Sequence, residues 1–585
     1  MNQPSSDIVV GIDFGTTYSG VAWAHNEGQK RVRLIKDWPN PQATIACNDK
    51  VPSLISYLNG KVENWGYHIG LKDAPFCWIK LLLEPESRYS KELEQVRQCN
   101  TLLRQLNKTA DEVVRDYLRE IWRYTKEDIR KCVHDNDWER NYAIRVVLTV
   151  PAMWSHAAKD RTLKAAVAAG LPTSIRLVDE PEAAALATLR EKADDNMLRP
   201  GDAFVVCDAG GGTVDLTSYK INSVVPLDIQ QCAINDGGLC GSAFLDMAFR
   251  KNIQVLIGKE QWDNLKDRDK KKMSREFEFG VKLSFTADST RQYSVDLRGV
   301  KDNPAEGILD DTITLKHSML ESLFGYVCGQ IECLVQNQIT AVGEKDLAVK
   351  SILLVGGFGS SKFLHRRLEQ AYAGTKISVL QVEGSWSAVC RGACLWGLEH
   401  PPTDPTSPSL LSPTTVTPSI TKRISKYSYG IGISEPFDAP KHRWSDRYLD
   451  EATNEYFARD QMRWLLNRGD VITNGKVLQM KIIQDVHGVT WTSGGNRNFT
   501  SSLYYCQDKH PPSRIEGVVK ELCQVKFTIP ESLIWREKSF TSPARPGKWR
   551  RLLIDIIIQL GNADLDFLVL YKGEIRGFAE AEYVV

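Results

Sequence analysis

The sequence predicts an α/β protein of two lobes followed by a β-rich, sandwich-like C-terminal domain. Two similar hairpins, D-x-G-T-T at 13–17 and D-x-G-G-G-T at 208–213, each follow an apolar strand and imply two related lobes. Around them, apolar strand-like runs alternate with stretches of helical spacing, the pattern of an α/β architecture. Past residue 400 the composition turns to Pro, Ser and Thr, and then to short β-type runs separated by turn residues.

The central stretch is VVCDAGGGTVDL, residues 205–216. Val205 to Cys207 reads as a buried strand, Asp208 opens the turn, Gly210, Gly211 and Gly212 form its tip, and Thr213 to Leu216 return as a strand. Three glycines permit positive φ and bring backbone N–H groups close to an anion, while Asp208, Thr213 and Asp215 offer oxygens to a hydrated metal. These residue types fit phosphate with Mg2+. The earlier copy, IVVGIDFGTTYSGVAWA at 8–24, supplies Asp13, Gly15, Thr16, Thr17 and Tyr18 in the same arrangement. Either turn alone is compatible with a structural role; two, each with a strand-end aspartate, are not easily accidental. A third element, SILLVGGFGSSKFLHRRLEQAYA at 351–373, runs from strand through Gly356, Gly357, Phe358 and Gly359 to a helix that Ser360 or Ser361 can cap.

Bulk properties narrow the function. With 585 residues, 42% hydrophobic and 25% charged, the chain is an ordinary globular sequence, and a net charge of +1 gives no general field for nucleic acid or an anionic membrane. The polar start, MNQPSSD, leads to the expectation of no secretory signal, and LLIDIIIQL at 552–560 falls far short of a membrane helix. Thirteen cysteines without a C-x-x-C pair suggest scattered free thiols.

In chain order, residues 7 to about 60 read as hairpin strands, with turns at Pro39-Asn40-Pro41 and Asn59-Gly60. Lys80 lies in the apolar run FCWIKLLLEP, where a lysine usually snorkels. Residues 88–133 carry Leu103, Leu106, Val113, Tyr117 and Ile121 at helical spacing. A strand from Arg145 to Val150 stops at Pro151, and Ser155 caps a helix running to about Ala169 before Gly170. Glu180 stands at the next strand-helix junction, with Pro181 in the first helical turn. Glu278 and Lys282, four apart, share a helix face.

The motifs resemble those of the actin-like ATPase superfamily and, within it, divergent members of the seventy-kilodalton heat-shock chaperone family. GIDFGTTYSG resembles that family's first phosphate motif, CDAGGGTVDL its second, VPAMWSHAAKDRTLKAAVAAGL with LVDEPEAAALA its first connecting segment, and LLVGGFGSSKFL its adenosine motif, over about residues 7–400. The resemblance implies a two-lobed actin-like ATPase domain, of duplicated mixed-sheet lobes, closing over ATP or ADP with Mg2+. By resemblance, Asp13 and Asp208 hold the hydrated metal, and Gly15, Thr16, Thr17, Tyr18, Gly210 to Gly212, Thr213 and Asp215 surround the phosphates. Lys80, Glu180 and Asp208 position the attacking water, and Gly238 and Gly241 of NDGGLCGSAFLD close over the terminal phosphate. Glu278 and Lys282 belong to the adenine clamp, and Gly356 to Ser360 line the nucleoside. Leu283 and Trp386 depart from the family pattern, where a basic and an acidic residue are usual.

The expected domains are 1–400, the ATPase domain; 401–420, a linker in which Leu410-Leu411 is an analogue of the family's coupling linker; and 421–585, a divergent substrate-binding-like β domain. Its candidate strands are SYGIGIS, KVLQMKII, GVTWT, SLYYC, CQVKFTI, LLIDIIIQL and DFLVLY, with one helix around 454–466. The family's helical lid and acidic C-terminal tetrapeptide are absent from the pattern, since the chain ends in FAEAEYVV. The expected activity is slow ATP hydrolysis controlling the binding of polypeptide clients, with co-chaperones or exchange factors as further partners and neither nucleic acid nor membrane. The cytoplasm is the expected compartment, the nucleus the second candidate. The alternatives are a non-hydrolysing nucleotide-binding scaffold and a small-molecule, sugar-type kinase of the same superfamily.

Overall fold

A computed structural model describes residues 7–28, 30–41, 48–84, 93–191, 199–381, 384–400, 419–473, 477–489, 495–560, 565–578 and 582–583. The chain divides into two units, Met1–Ile420 and Thr421–Val585. The expected linker, with Leu410-Leu411, lies outside the described residues as far as residue 418.

The first unit holds two sheets of one design. In the first, β1 (Asp7–Asp13) and β2 (Tyr18–His25) form an antiparallel hairpin, β3 (Arg33–Leu34) pairs outside β2, and β4 (Ala143–Val150) and β5 (Arg176–Asp179) follow in parallel beyond β1. In the second, β6 (Ala203–Ala209) and β7 (Val214–Ser223) are the hairpin, β8 (Asp228–Gln231) pairs outside β7, and β9 (Val349–Val355) and β10 (Ser378–Gln381) run parallel beyond β6. Strand order and direction are therefore repeated, which is the duplication implied by the paired motifs. The central strands are buried throughout, so they read as continuous apolar runs rather than alternating ones.

Helices cover these sheets where the sequence places their caps. Thr109 starts α1 (Ala110–Val133) with a reciprocal capping box to Glu112. Ser155 accepts the Ala158 N–H at the start of α2 (His156–Ala168), and Gly170 follows at φ +95°. Glu180 is the first residue of α3 (Glu180–Glu191). Further on, α4 (Ala243–Ile257) follows the second hairpin, α5 (His317–Gly343) packs against β7, and Ser361 rather than Ser360 caps α6 (Lys362–Ala371). Finally α7 (Ala388–Glu399) packs on α3 and β1.

The second unit is built from two antiparallel sheets. One contains β11 (Ser428–Pro436), β12 (Tyr456–Leu466), β14 (Asn496–Cys506) and β15 (Lys520–Pro530); the other contains β13 (Val477–His487), β16 (Lys548–Leu560), β17 (Leu565–Tyr571) and β18 (Glu574–Phe578). Leu552, Ile554, Ile556 and Ile558 alternate into a shared core with Leu503, Val525, Phe527 and Ile529. The helix expected around 454–466 is the strand β12. Its buried residues, Ala458, Gln461, Met462 and Leu466, have helix-like spacing because Asp460 takes a positive φ of 61° and the ladder to β11 shifts register twice. An interrupted alternation of this kind mimics a helical period. Of GVTWT, Gly488 and Val489 are outside any strand and the rest is outside the described residues.

Candidate functional site

The two hairpins face one another across a cavity of about 260 Å3. Asp13, Gly15, Thr16, Thr17 and Tyr18 line it from the first sheet, and Asp208, Gly210, Gly211, Gly212 and Thr213 from the second. Lys80, Glu180, Glu278, Lys282, Gly356, Gly357, Phe358 and Ser360 complete the set of expected residues on its wall.

The hairpin tip differs from the sequence expectation in its backbone. None of Gly210, Gly211 and Gly212 has φ between +20° and +160°, and the Gly210 N–H closes the turn by donating to Thr213 O at 3.0 Å. Close approach, not dihedral freedom, demands glycine here: a Cβ on Gly211 would stand 2.0 Å from Thr17 Oγ1. The carbonyls of Gly210, Gly211 and Gly212 accept the N–H groups of Ser242, Ala243 and Gly241, which ties the tip to the start of α4.

Four expected residues do not line the cavity. Asp215 is buried, its Oδ1 accepting the Met153 N–H at 3.2 Å; Gly238 pairs with Val214 in a short strand; Gly241 packs on the Gly211 backbone; and the Gly359 carbonyl accepts from Gln381. Ser242 takes the place on the wall expected of Gly238 and Gly241.

Lys80 does not snorkel. It sits in a 3-10 turn, Ile79–Leu83, with its side chain 2% exposed, paired with Glu180 and set over the rings of Phe14 and Trp154 at 5.9 and 5.3 Å. Burial raises the Glu180 carboxyl to about 8 against the pull of Lys80, and Asp13 and Asp208 push the same way as burial. Burial, with Asp13 and Asp215 adding to it, also raises Asp208.

At the opposite end, Glu278 lies in a π-turn, Phe277–Val281, and Lys282 directly follows it; both line the cavity. Glu278 accepts from the Tyr18 hydroxyl at 3.1 Å, and Lys282 Nζ pairs with Asp246 Oδ2 at 2.7 Å. Tyr18 lies edge-on to Trp386, with ring centroids 5.5 Å apart. With Phe279 and the half-exposed Leu283, this makes the wall at this end aromatic and apolar.

One charged group on the wall is absent from the sequence reading. Lys50 Nζ pairs with Asp13 Oδ2 at 2.5 Å, with side-chain exposures of 7% and 5%. The sequence signal was weak: a single lysine after a turn, in N-D-K-V-P-S, with no glycine or acid motif beside it.

Residues 127–397 match the family described as Hsp70 protein. Heat shock 70 kDa protein 12A of Mus musculus is 23% identical over 554 residues, spanning 78% of this chain and 77% of that protein. The human protein of the same name is also 23% identical, over 559 residues. The chaperone protein HscA homolog of Rickettsia prowazekii is 28% identical over 398 residues, spanning 67% of this chain and 57% of that protein. This match and these relatives support a divergent Hsp70-family member in the N-terminal unit. Residues 423–583 match a different family, described as a domain of unknown function (DUF8568).

These similarities support a nucleotide-binding, chaperone-like protein. Hsp70-family proteins generally bind ATP or ADP with Mg2+, and the wall chemistry of this member fits that group. Among the described residues no three His, Cys, Asp or Glu side chains form a metal cage. A pair of carboxylates at the hairpin ends suits an ion that keeps most of its waters and takes further oxygens from phosphate.

Proposed function

We propose that this Hsp70-family chain binds ATP between its two hairpins, hydrolyses it slowly, and uses the nucleotide state to control client binding by the C-terminal β domain. The observation that carries the reading is the convergence of Asp13, Asp208, Glu180 and Lys80 on one cavity from four separate elements. The proposed domain roles follow the division near residue 420.

Thr16, Thr17, Thr213 and the N–H groups of Gly211 and Gly212 would hold the phosphates. Asp13 and Asp208 would hold Mg2+ through water, and the ion would supply charge neutralisation on the phosphoryl oxygens. Lys80 and Glu180 orient the attacking water: the buried ammonium fixes the carboxylate, and a carboxyl with a raised pKa is suited to take up a proton. Phosphoryl transfer needs positioning and charge more than covalent chemistry, so this set suffices for slow turnover. Tyr18, Trp386, Phe279 and Leu283 would pack on the nucleoside, with Glu278 and Lys282 as polar contacts.

Client control requires that ATP and ADP favour different arrangements of the protein, since only differential binding shifts a population. Polypeptides are the proposed clients, co-chaperones or exchange factors the further partners, and the cytoplasm, with the nucleus second, the proposed compartment.

The Lys50–Asp13 pair favours a second reading, a nucleotide-binding scaffold without turnover, because it engages a carboxylate that Mg2+ would use. Single-turnover hydrolysis with Mg2+ and no added acceptor separates the two. Slow phosphate release that depends on Asp208 supports the ATPase; tight binding with no release supports the scaffold.

A further inference from the structure

Lys50 is held more firmly than a lone lysine after a turn would be. The residues after it, Val51–Pro52, pair with Tyr18 and Ser19 of β2, and the Ser53 N–H donates to Thr17 O at 2.8 Å while its hydroxyl donates to Gly15 O at 2.7 Å. The Lys50 carbonyl accepts from Tyr67 at 2.9 Å. Its stem lies against Gly20, where an added Cβ would meet Lys50 Cγ at 3.0 Å. The segment that carries Lys50 is thus bonded directly to the first phosphate hairpin, and its ammonium lies at the carboxylate that ends β1.

This arrangement places a permanent positive charge, 2.5 Å from Asp13 and on the cavity wall beside Thr16 and Thr17, where the phosphate charge of a nucleotide would fall. Lys80 is already engaged by Glu180 and Lys282 by Asp246, so each of the three wall lysines has its own acid. Only Lys50 has the acid that ends the first hairpin strand.

We propose that Lys50 is a built-in counter-charge of the phosphate site, so that nucleoside diphosphates and triphosphates bind here without an obligatory divalent cation. The inference rests on the nucleotide reading above. An ammonium in this position neutralises Asp13 in the empty site and donates to phosphate oxygens in the filled one. A divalent ion then adds to binding rather than making it possible.

The test is the affinity of ADP for the full chain, measured by titration calorimetry in Mg2+ and in excess EDTA, for the wild type and for Lys50→Met. The wild type should lose no more than about tenfold on removal of Mg2+. Lys50→Met should lose about 10- to 100-fold in EDTA, the range of a hydrogen bond to a charged group, and less in Mg2+. Binding to the wild type in Mg2+ that vanishes in EDTA overturns the proposal and leaves the nucleotide reading standing. Equal affinity of wild type and Lys50→Met in EDTA overturns it as well. No ADP binding in either condition overturns the nucleotide reading and the proposal with it. The wild-type pair of titrations decides the matter even if Lys50→Met does not fold.

Discussion

Gly211 lies so close to Thr17 that a single added carbon would stand 2.0 Å from the threonine oxygen. The two hairpins, each from its own sheet, meet at this point. Gly211→Ala should therefore force them apart: overpacking of this kind costs about 1–3 kcal/mol, and it falls on lobe closure rather than on either core. The expected result is a marked loss of ATP affinity with modest change in melting temperature. Unchanged affinity would show that the hairpins do not need this contact to bind nucleotide.

Asp208→Asn should lower single-turnover phosphate release by at least about 100-fold, the scale of losing one preorganised charged group. The empty protein should become more stable at neutral pH, because burial and the nearby Asp13 and Asp215 disfavour the Asp208 charge. Release at the wild-type rate would remove Asp208 from the chemistry.

The pH dependence of the empty protein should carry the mark of Glu180. Its carboxyl rises from 4.5 to about 8 on folding, so between these values the folded chain holds a proton that the unfolded chain has released. The contribution of this group to stability is full below pH 4.5 and falls as pH rises through about 8. Glu180→Gln removes the dependence, so the melting-temperature difference, variant minus wild type, should grow across that window. A difference that shrinks with rising pH would contradict the buried setting of Glu180.

Trp386→Ala should weaken ATP and ADP binding by about tenfold, in line with an aromatic contact beyond simple area burial, while leaving pyrophosphate binding intact. The measurement is a competition titration of the three ligands. Equal losses for pyrophosphate and ATP would place Trp386 away from the nucleoside.

A fragment ending at residue 420 should fold and bind ATP, because the core of Tyr427, Leu466, Ile529, Ile554 and Tyr571 draws only on the second unit. Circular dichroism with calorimetry checks this. A folded fragment that has lost ATP binding would contradict the division of roles.

The sequence made the duplicated design legible because each hairpin compresses strand, carboxylate and glycine turn into about a dozen residues. The Ser155 cap was legible for the same local reason. Lys50 was not, since its meaning comes from a side-chain ion pair to Asp13, 37 residues away. The partners of Glu278 and Lys282, Tyr18 and Asp246, were not legible because they lie far off along the chain, and β12 was obscured by register shifts that broke its alternation. The glycines at 210–212 stand at the hairpin tip, but the reason for Gly211 and Gly212 lies in Thr17 and Thr16 of the other lobe.

The repeated strand order has a consequence for how the first unit fails. Each half keeps its own sheet, and the two share a core around α3 and α7, with Val147 and Val178 from one and Val206 and Leu353 from the other; the carboxylates of the proposed site are dealt between the halves, Asp13 to one and Asp208 to the other. Small opening motions can therefore disarm the chemistry long before they melt any sheet, and a bound nucleotide acts as a rivet whose loss leaves both plates whole.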